Sequence, residues 1–173
     1  VIGKNGNGFT LVCRNKYGFR LSKNVLSIDL LRGSTDPDKF PEYGDYNIQF
    51  AISPIAKLDY KLIDELERDY MTPVIFSSIT GRGKGDKPLT DSFLSLDAEN
   101  CSISDILTED GSVTVRVRSY SDKPEKARIS YKNGIKHAEE TTIDGVKIRD
   151  LKATKNGVEA TVKPYEILSL RIK

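Results

Sequence analysis

The sequence predicts a mainly all-β protein, made of antiparallel β-sandwich units with one short helix. Three observations predict it. Apolar and polar residues alternate along most runs, clusters of Gly, Asn, Asp and Pro separate those runs, and a single segment carries helical spacing.

Taken in order, "GFTLVC" and "KYGFRL" read as the first strands, followed by "VLSIDLL" with Leu26, Ile28 and Leu30 on one face. "NIQFAI" places Ile48, Phe50 and Ile52 on one face in the same way. Successive side chains of a strand point to opposite faces, so each run has one wet side. The helical exception is "LDYKLIDELERDY", where Leu58, Leu62 and Leu66 form a stripe widened by Ile63 and Tyr70. Its spacing predicts a helix over residues 58–69, packed by those three leucines. After "VIFSSI" comes "TGRGKGDKPLTD", residues 80–91, whose glycine, charge and proline read as an exposed connection. The expected organisation is part of a β-sandwich domain over residues 1–80, a linker over 81–90 and a small C-terminal antiparallel sandwich over 91–173.

In the second half, "SVTVRVRSY" sets Val113, Val115 and Val117 against Thr114, Arg116 and Arg118, the pattern of a sheet with one face in a core. "KARISY", "EETTI", "VKIRDL", "VEATV" and "EILSLRI" come next at short intervals, punctuated by "KNG", "IDG" and "KNG". About six or seven short strands at this spacing predict a small sandwich.

Composition narrows the function. Of 173 residues, 27 are basic and 25 acidic, so no electrostatic footprint points to nucleic acid or an anionic membrane. There is no apolar run near the ~20 residues that span a bilayer, and no signal peptide pattern. Cys13 and Cys101 lie far apart without CxxC spacing, which suits reduced core thiols in a reducing compartment, and hence a cytoplasmic location. A start at Val1 and a finish inside the strand-like "EILSLRIK" lead us to expect a piece of something longer.

Few residues offer chemistry. Zinc needs several imidazole or thiolate ligands at close spacing, whereas His137 and two separated cysteines are all that is present, so no metal site is expected. His137 itself reads as a solvated residue at a strand start. No GxSxG elbow accompanies it, which excludes Ser/His/Asp hydrolysis of the common kind. "GKNGNG" leads into a strand and "GRGKGDKP" into proline, so neither offers a helix N-terminus to a phosphate. The remaining candidate is "LLRGSTDPDKFPEYGDYNIQF", where Asp36, Asp38, Glu42 and Asp45 crowd between two strand-like runs. They suit a glycosidase acid and base, whose carboxyls stand about 5 to 10 Å apart, or a calcium ion. "STDPD" is equally ordinary turn chemistry.

The stretch "NKYGFRLSKNVLSIDLLRGSTDPDKFPEYGDYNIQFAI" resembles the C-terminal β domains of glycoside hydrolase family 38, the α-mannosidases. Lys16, Tyr17 and Gly18 match that family's "KYG" strand. Leu30, Leu31, Arg32, Ser34, Pro37, Asp38, Gly44 and Phe50 fall in step with its "LxLLRSPxxPDPxADxGxHxFxYAL" run. "DYMTPVIF" is similar to its "FNxP" segment, "FLSLDAEN" and "SVTVRVRSYSD" to later strands, and "KPYEILSLRI" to its ending "PFEIxTLRI". The chain departs at the "ADxG" aspartate, here Glu42 or Tyr43, at the following histidine, near Tyr46, and at the "PH" that becomes Ser53 and Pro54.

The resemblance implies a supersandwich-like C-terminal region of an α-mannosidase. Such enzymes hydrolyse α-mannosides with retention, using an aspartate nucleophile and a zinc ion held by histidines and aspartates of an N-terminal barrel. None of those motifs is in this sequence, so it implies a chain inactive alone, with no cofactor of its own and zinc in the missing catalytic domain. The implied partners are the N-terminal barrel and helical region of the same polypeptide and the α-mannoside, with homo-oligomers possible and neither nucleic acid nor membrane. Arg32, Asp36, Asp38 and Asp45 become the candidate substrate-binding residues, because a planar guanidinium can orient sugar hydroxyls or carboxylates. An Arg32 that merely holds the turn through Asp38 is the competing reading, and a stand-alone carbohydrate-binding or structural sandwich is the competing function.

Overall fold

The computed structural model describes residues 1–31, 36, 44–78, 81 and 85–173. The chain divides into two compact units, Val1–Ser77 and Ser78–Lys173.

Among its described residues, the first unit has two small antiparallel pairs and a helix. Strand β1 (Gly8–Cys13) pairs with β4 (Phe50–Ile55), Leu11 opposite Ile52. Strands β2 (Phe19–Ser22) and β3 (Val25–Ile28) form a hairpin whose turn holds Lys23 at φ 54°. Helix α1 runs over Tyr60–Met71 and rests against β1.

Helix α1 starts two residues later than its leucine spacing predicts because Asp59 caps it. The Asp59 carboxylate accepts from the Leu62 N–H at 3.1 Å, satisfying one of the amides that a helix start leaves unpaired. Leu58 thereby falls outside the helix and is 52% exposed, Leu62 is exposed as well, and only Leu66 is half-buried. The expectation that all three pack together is therefore corrected. A two-stranded ladder is too narrow to cover a whole apolar stripe.

Facing is also corrected in β4. Phe50 and Ile52 point outward, while the opposite parity carries half-buried Ala51 and Ser53 and buried Ile55. Strand β3 ends at Ile28, so Leu30 and Leu31 are exposed beyond it.

In the second unit, two sheets share one core. One is five-stranded, in the order β10 (Lys147–Leu151), β9 (Ala138–Thr141), β13 (Ile167–Ile172), β7 (Ser112–Ser119), β6 (Cys101–Glu109). The other is four-stranded, in the order β11 (Ala153–Thr154), β12 (Gly157–Val162), β8 (Glu125–Tyr131), β5 (Leu94–Asp97). All described pairings are antiparallel. The alternation seen in "SVTVRVRSY" buries Val115 opposite Leu170 and Val117 opposite Leu168. From the facing sheet Ile129 meets Val158, and Ala127 meets Ala160. These residues join Cys101, Ile135, Val162 and Ile172 in one cluster. Each buried Val, Leu or Ile side chain among them contributes about 1.5 to 3 kcal/mol through removal from water. Cys13 and Cys101 are both buried and are not joined in a disulfide.

Two irregularities shape the five-stranded sheet. The β6–β7 turn is a two-residue Asp110-Gly111 hairpin with φ 47° and 72°, a left-handed pair matching strand twist. Strand β10 carries a bulge between Lys147 and Arg149.

Candidate functional site

Among the described residues, one cluster of His, Asp and Glu brings at least three possible metal-ligand atoms within 4.8 Å of one another: His137, Glu139 and Asp150. It lies on the outer face of the five-stranded sheet, at its β9–β10 edge.

Each member has a local cause for its position. Immediately before β9, His137 is pinned to the last residue of the chain: its N–H donates to the Lys173 carbonyl at 2.9 Å, and Lys173 N–H donates back at 2.9 Å. Glu139 lies two positions further on, so both side chains share one face. Opposite Glu139 stands Asp150. Lys147 would face the other way in a regular strand, but the bulge adds one residue between them and returns both to the same side.

The electrostatics are dense. His137 Nε2 stands 3.5 Å from Glu139 Oε2 and 3.3 Å from Asp150 Oδ1. Arg171, facing Glu139 from β13, donates from Nη1 to Oε1 at 2.9 Å. Lys147 Nζ lies 2.7 Å from Asp150 Oδ1 and 3.9 Å from Glu139 Oε2. The hydrogen bond from Lys147 holds the Asp150 carboxyl below the usual carboxylate range, helped by the charges of Lys147 and His137. The same bond raises Lys147 above its ordinary value, with further help from the Asp150 and Glu139 charges. Glu139 is 8% exposed, so its charge needs these partners, whereas the His137 side chain is 53% exposed.

A second device braces this face. The turn between β9 and β10 folds across the sheet, where Arg116 Nη2 donates to the Ile143 carbonyl at 2.9 Å and Arg171 Nη2 to the Gly145 carbonyl at 2.8 Å. Gly145 has φ 88°, a left-handed conformation in which a side chain would be strained, so glycine is favoured there. Arg116 is itself held by Asp105 at 2.7 Å, across a second bulge in β6. Beside the cluster, His137, Glu139 and Arg171 line a cleft of about 400 Å³ with Glu109, Asp110, Ser112 and Lys173.

Residues 107–170 match the family model of the Glycosyl hydrolases family 38 C-terminal beta sandwich domain. Within the second unit, these residues are similar to that family 38 sandwich domain. No curated protein matches the chain. The match runs from inside β6 to inside β13 and takes in His137, Glu139, Lys147 and Asp150. The first unit lies outside it.

The candidate residues of the acidic loop fall elsewhere. Arg32 and Asp38 lie outside the described residues; Asp36 and Asp45 are exposed and belong to no helix or strand. His137 is half-exposed, but it has two carboxylate neighbours, so a bare solvated residue is too simple a reading. The His-x-Glu spacing was visible in "HAEE". The approach of Asp150 was not, because it depends on the hairpin and its bulge. No described helix is long and apolar enough to cross a membrane.

Proposed function

We propose that this chain is the non-catalytic C-terminal β portion of a retaining, zinc-dependent α-mannosidase, where it supports the catalytic barrel and closes one wall of the substrate cleft. The observation that carries the reading is the family 38 sandwich match over residues 107–170. Ordered motif resemblances extend it from Lys16 to the closing "KPYEILSLRI". The first unit adds support. Among its described residues only Thr10, Cys13 and Ile55 are buried, while Phe19, Leu21, Val25, Phe50 and Ile52 are exposed. So much exposed apolar surface suits a surface covered by another part of a larger polypeptide. With one histidine in the chain, a zinc site of several imidazoles has to come from elsewhere. On this reading Arg32 reaches the sugar cleft and Asp36, Asp38 and Asp45 organise its loop, in a cytoplasmic enzyme.

The test compares the chain alone with the chain joined to its upstream reading frame. Alone, with zinc or cobalt supplied, it releases no product from an aryl α-mannoside; joined, it supports turnover. Turnover by the isolated chain that vanishes on mutating its own carboxylates overturns the reading. So does an upstream frame without a barrel bearing paired His-x-Asp ligands. In the active enzyme, Arg32→Lys lowers kcat/KM about tenfold or more, since an oriented charged contact is worth on the order of 1.5 to 3 kcal/mol. Unchanged kinetics with a lowered Tm would instead make Arg32 a brace of the turn.

A further inference from the structure

We propose that His137, Glu139 and Asp150 form a divalent-cation site of the zinc class on the second unit, separate from any catalytic metal. One imidazole and two carboxylates make a nitrogen and oxygen donor set that zinc and its first-row neighbours accept. Spacing agrees with composition. Bonds of about 2.1 Å in a tetrahedron put neighbouring donors about 3.4 Å apart, and His137 Nε2 lies 3.5 Å from Glu139 Oε2 and 3.3 Å from Asp150 Oδ1. The third pair closes within 4.8 Å. Three protein ligands leave a fourth position for water.

The donors are also held in place. Lys173 fixes the His137 backbone, and Arg171 takes Glu139 Oε1 and leaves Oε2 directed at the imidazole. Such outer contacts orient a ligand before the metal arrives. His137 and Glu139 line the adjoining cleft, which gives an ion and its waters a path.

Lys147 is the competitor. Its ammonium lies 2.7 Å from Asp150 Oδ1, so the same oxygen that would ligate a metal already attracts a cation. The lysine side chain is 47% exposed on a flexible stem, and an exposed pair of this kind yields readily to a doubly charged ion that His137 also binds. Metal binding would exchange a monodentate clasp for a bridge between the β10 edge strand and β9, which would stiffen the sheet edge.

The test titrates zinc into the 173-residue chain by calorimetry at neutral pH and repeats it with cobalt(II) under visible absorption. One ion binds per chain, giving cobalt d–d bands without the near-ultraviolet thiolate band that Cys13 or Cys101 would add. His137→Gln weakens binding tenfold or more, Asp150→Asn does likewise, and both retain the native circular dichroism in chelator because both side chains are largely exposed. Lys147→Met tightens binding severalfold, and this result distinguishes the site from general attraction to carboxylates. Equal affinity in native chain and His137→Gln overturns the proposal, as does a thiolate band. Binding that appears only in Lys147→Met overturns it too, since the native ammonium would then exclude the ion.

Discussion

The two units of this chain have similar lengths and opposite interiors. In Ser78–Lys173, nine described strands enclose a cluster in which Ile129, Leu170, Val115 and Val117 are fully buried. In Val1–Ser77, four described strands and a helix bury three described residues, and Ile75 and Phe76 are 93% and 88% exposed. Both units are rich in β pattern, so alternation alone does not make a core. Two sheets facing each other do, because each supplies the apolar surface that the other's dry face requires. The first unit has only two-stranded ladders among its described residues, and such ladders are marginal in isolation.

The largest expected effect separates the units. Residues 78–173 expressed alone unfold in one cooperative denaturant transition, while residues 1–77 show no cooperative transition and no slow amide exchange. A sharp transition from residues 1–77 would break the comparison, and would mean that its ladders and helix suffice without a covering partner.

A smaller effect sharpens the same contrast at single side chains. Leu170→Ala lowers the stability of the intact chain by about 2 to 5 kcal/mol, the usual range for emptying a packed leucine site. Ile52→Ala, from an exposed position, changes it by less than about 0.5 kcal/mol. Denaturant midpoints at constant slope measure both. Comparable losses would show that the first unit has a core after all.

The same contrast explains which features the sequence reveals. Val115, Val117, Leu168 and Leu170 were legible because each strand has one apolar parity, and the register places those parities against each other. In β4 the apolar Phe50 and Ile52 mark a face that nothing among the described residues covers, so pattern predicted burial where the structure has exposure. Bulges were the other blind spot. A period of two cannot detect an inserted residue, so the pairing of Asp105 with Arg116 and the shared side of Lys147 and Asp150 were hidden in "ISDILTE" and "VKIRDL". Of the candidate site, His137 and Glu139 could be placed on one face from spacing, and Asp150 could be added only from the folded hairpin. Arg32, the centre of the acidic-loop reading, lies outside the described residues.

The smallest expected effect lies at the entrance of the second unit and concerns pH. Asp91 pairs with Lys132, whose ammonium also stands 5.5 Å from the centre of the Phe93 ring. The hydrogen bond from Lys132 holds the Asp91 carboxyl below its ordinary value, with the Lys132 charge and the Ser92 amide adding to it. A carboxyl with a depressed folded pKa stabilises the fold at pH values above its unfolded value, and this contribution is lost as the pH falls through the folded one. The ordinary value for aspartate is about 3.9, so the contribution is complete by about pH 5 and fades below about pH 4. Asp91→Asn removes the charge at every pH. Its Tm therefore lies slightly below that of the native chain at pH 7, and the two converge as the pH drops towards about 2.5. The gap stays small because the pair is open to solvent, where screening leaves an ion pair little net value. Convergence on raising the pH instead would reverse the sign of this linkage, and a gap as large as that of Leu170→Ala would show that the pair is buried in solution.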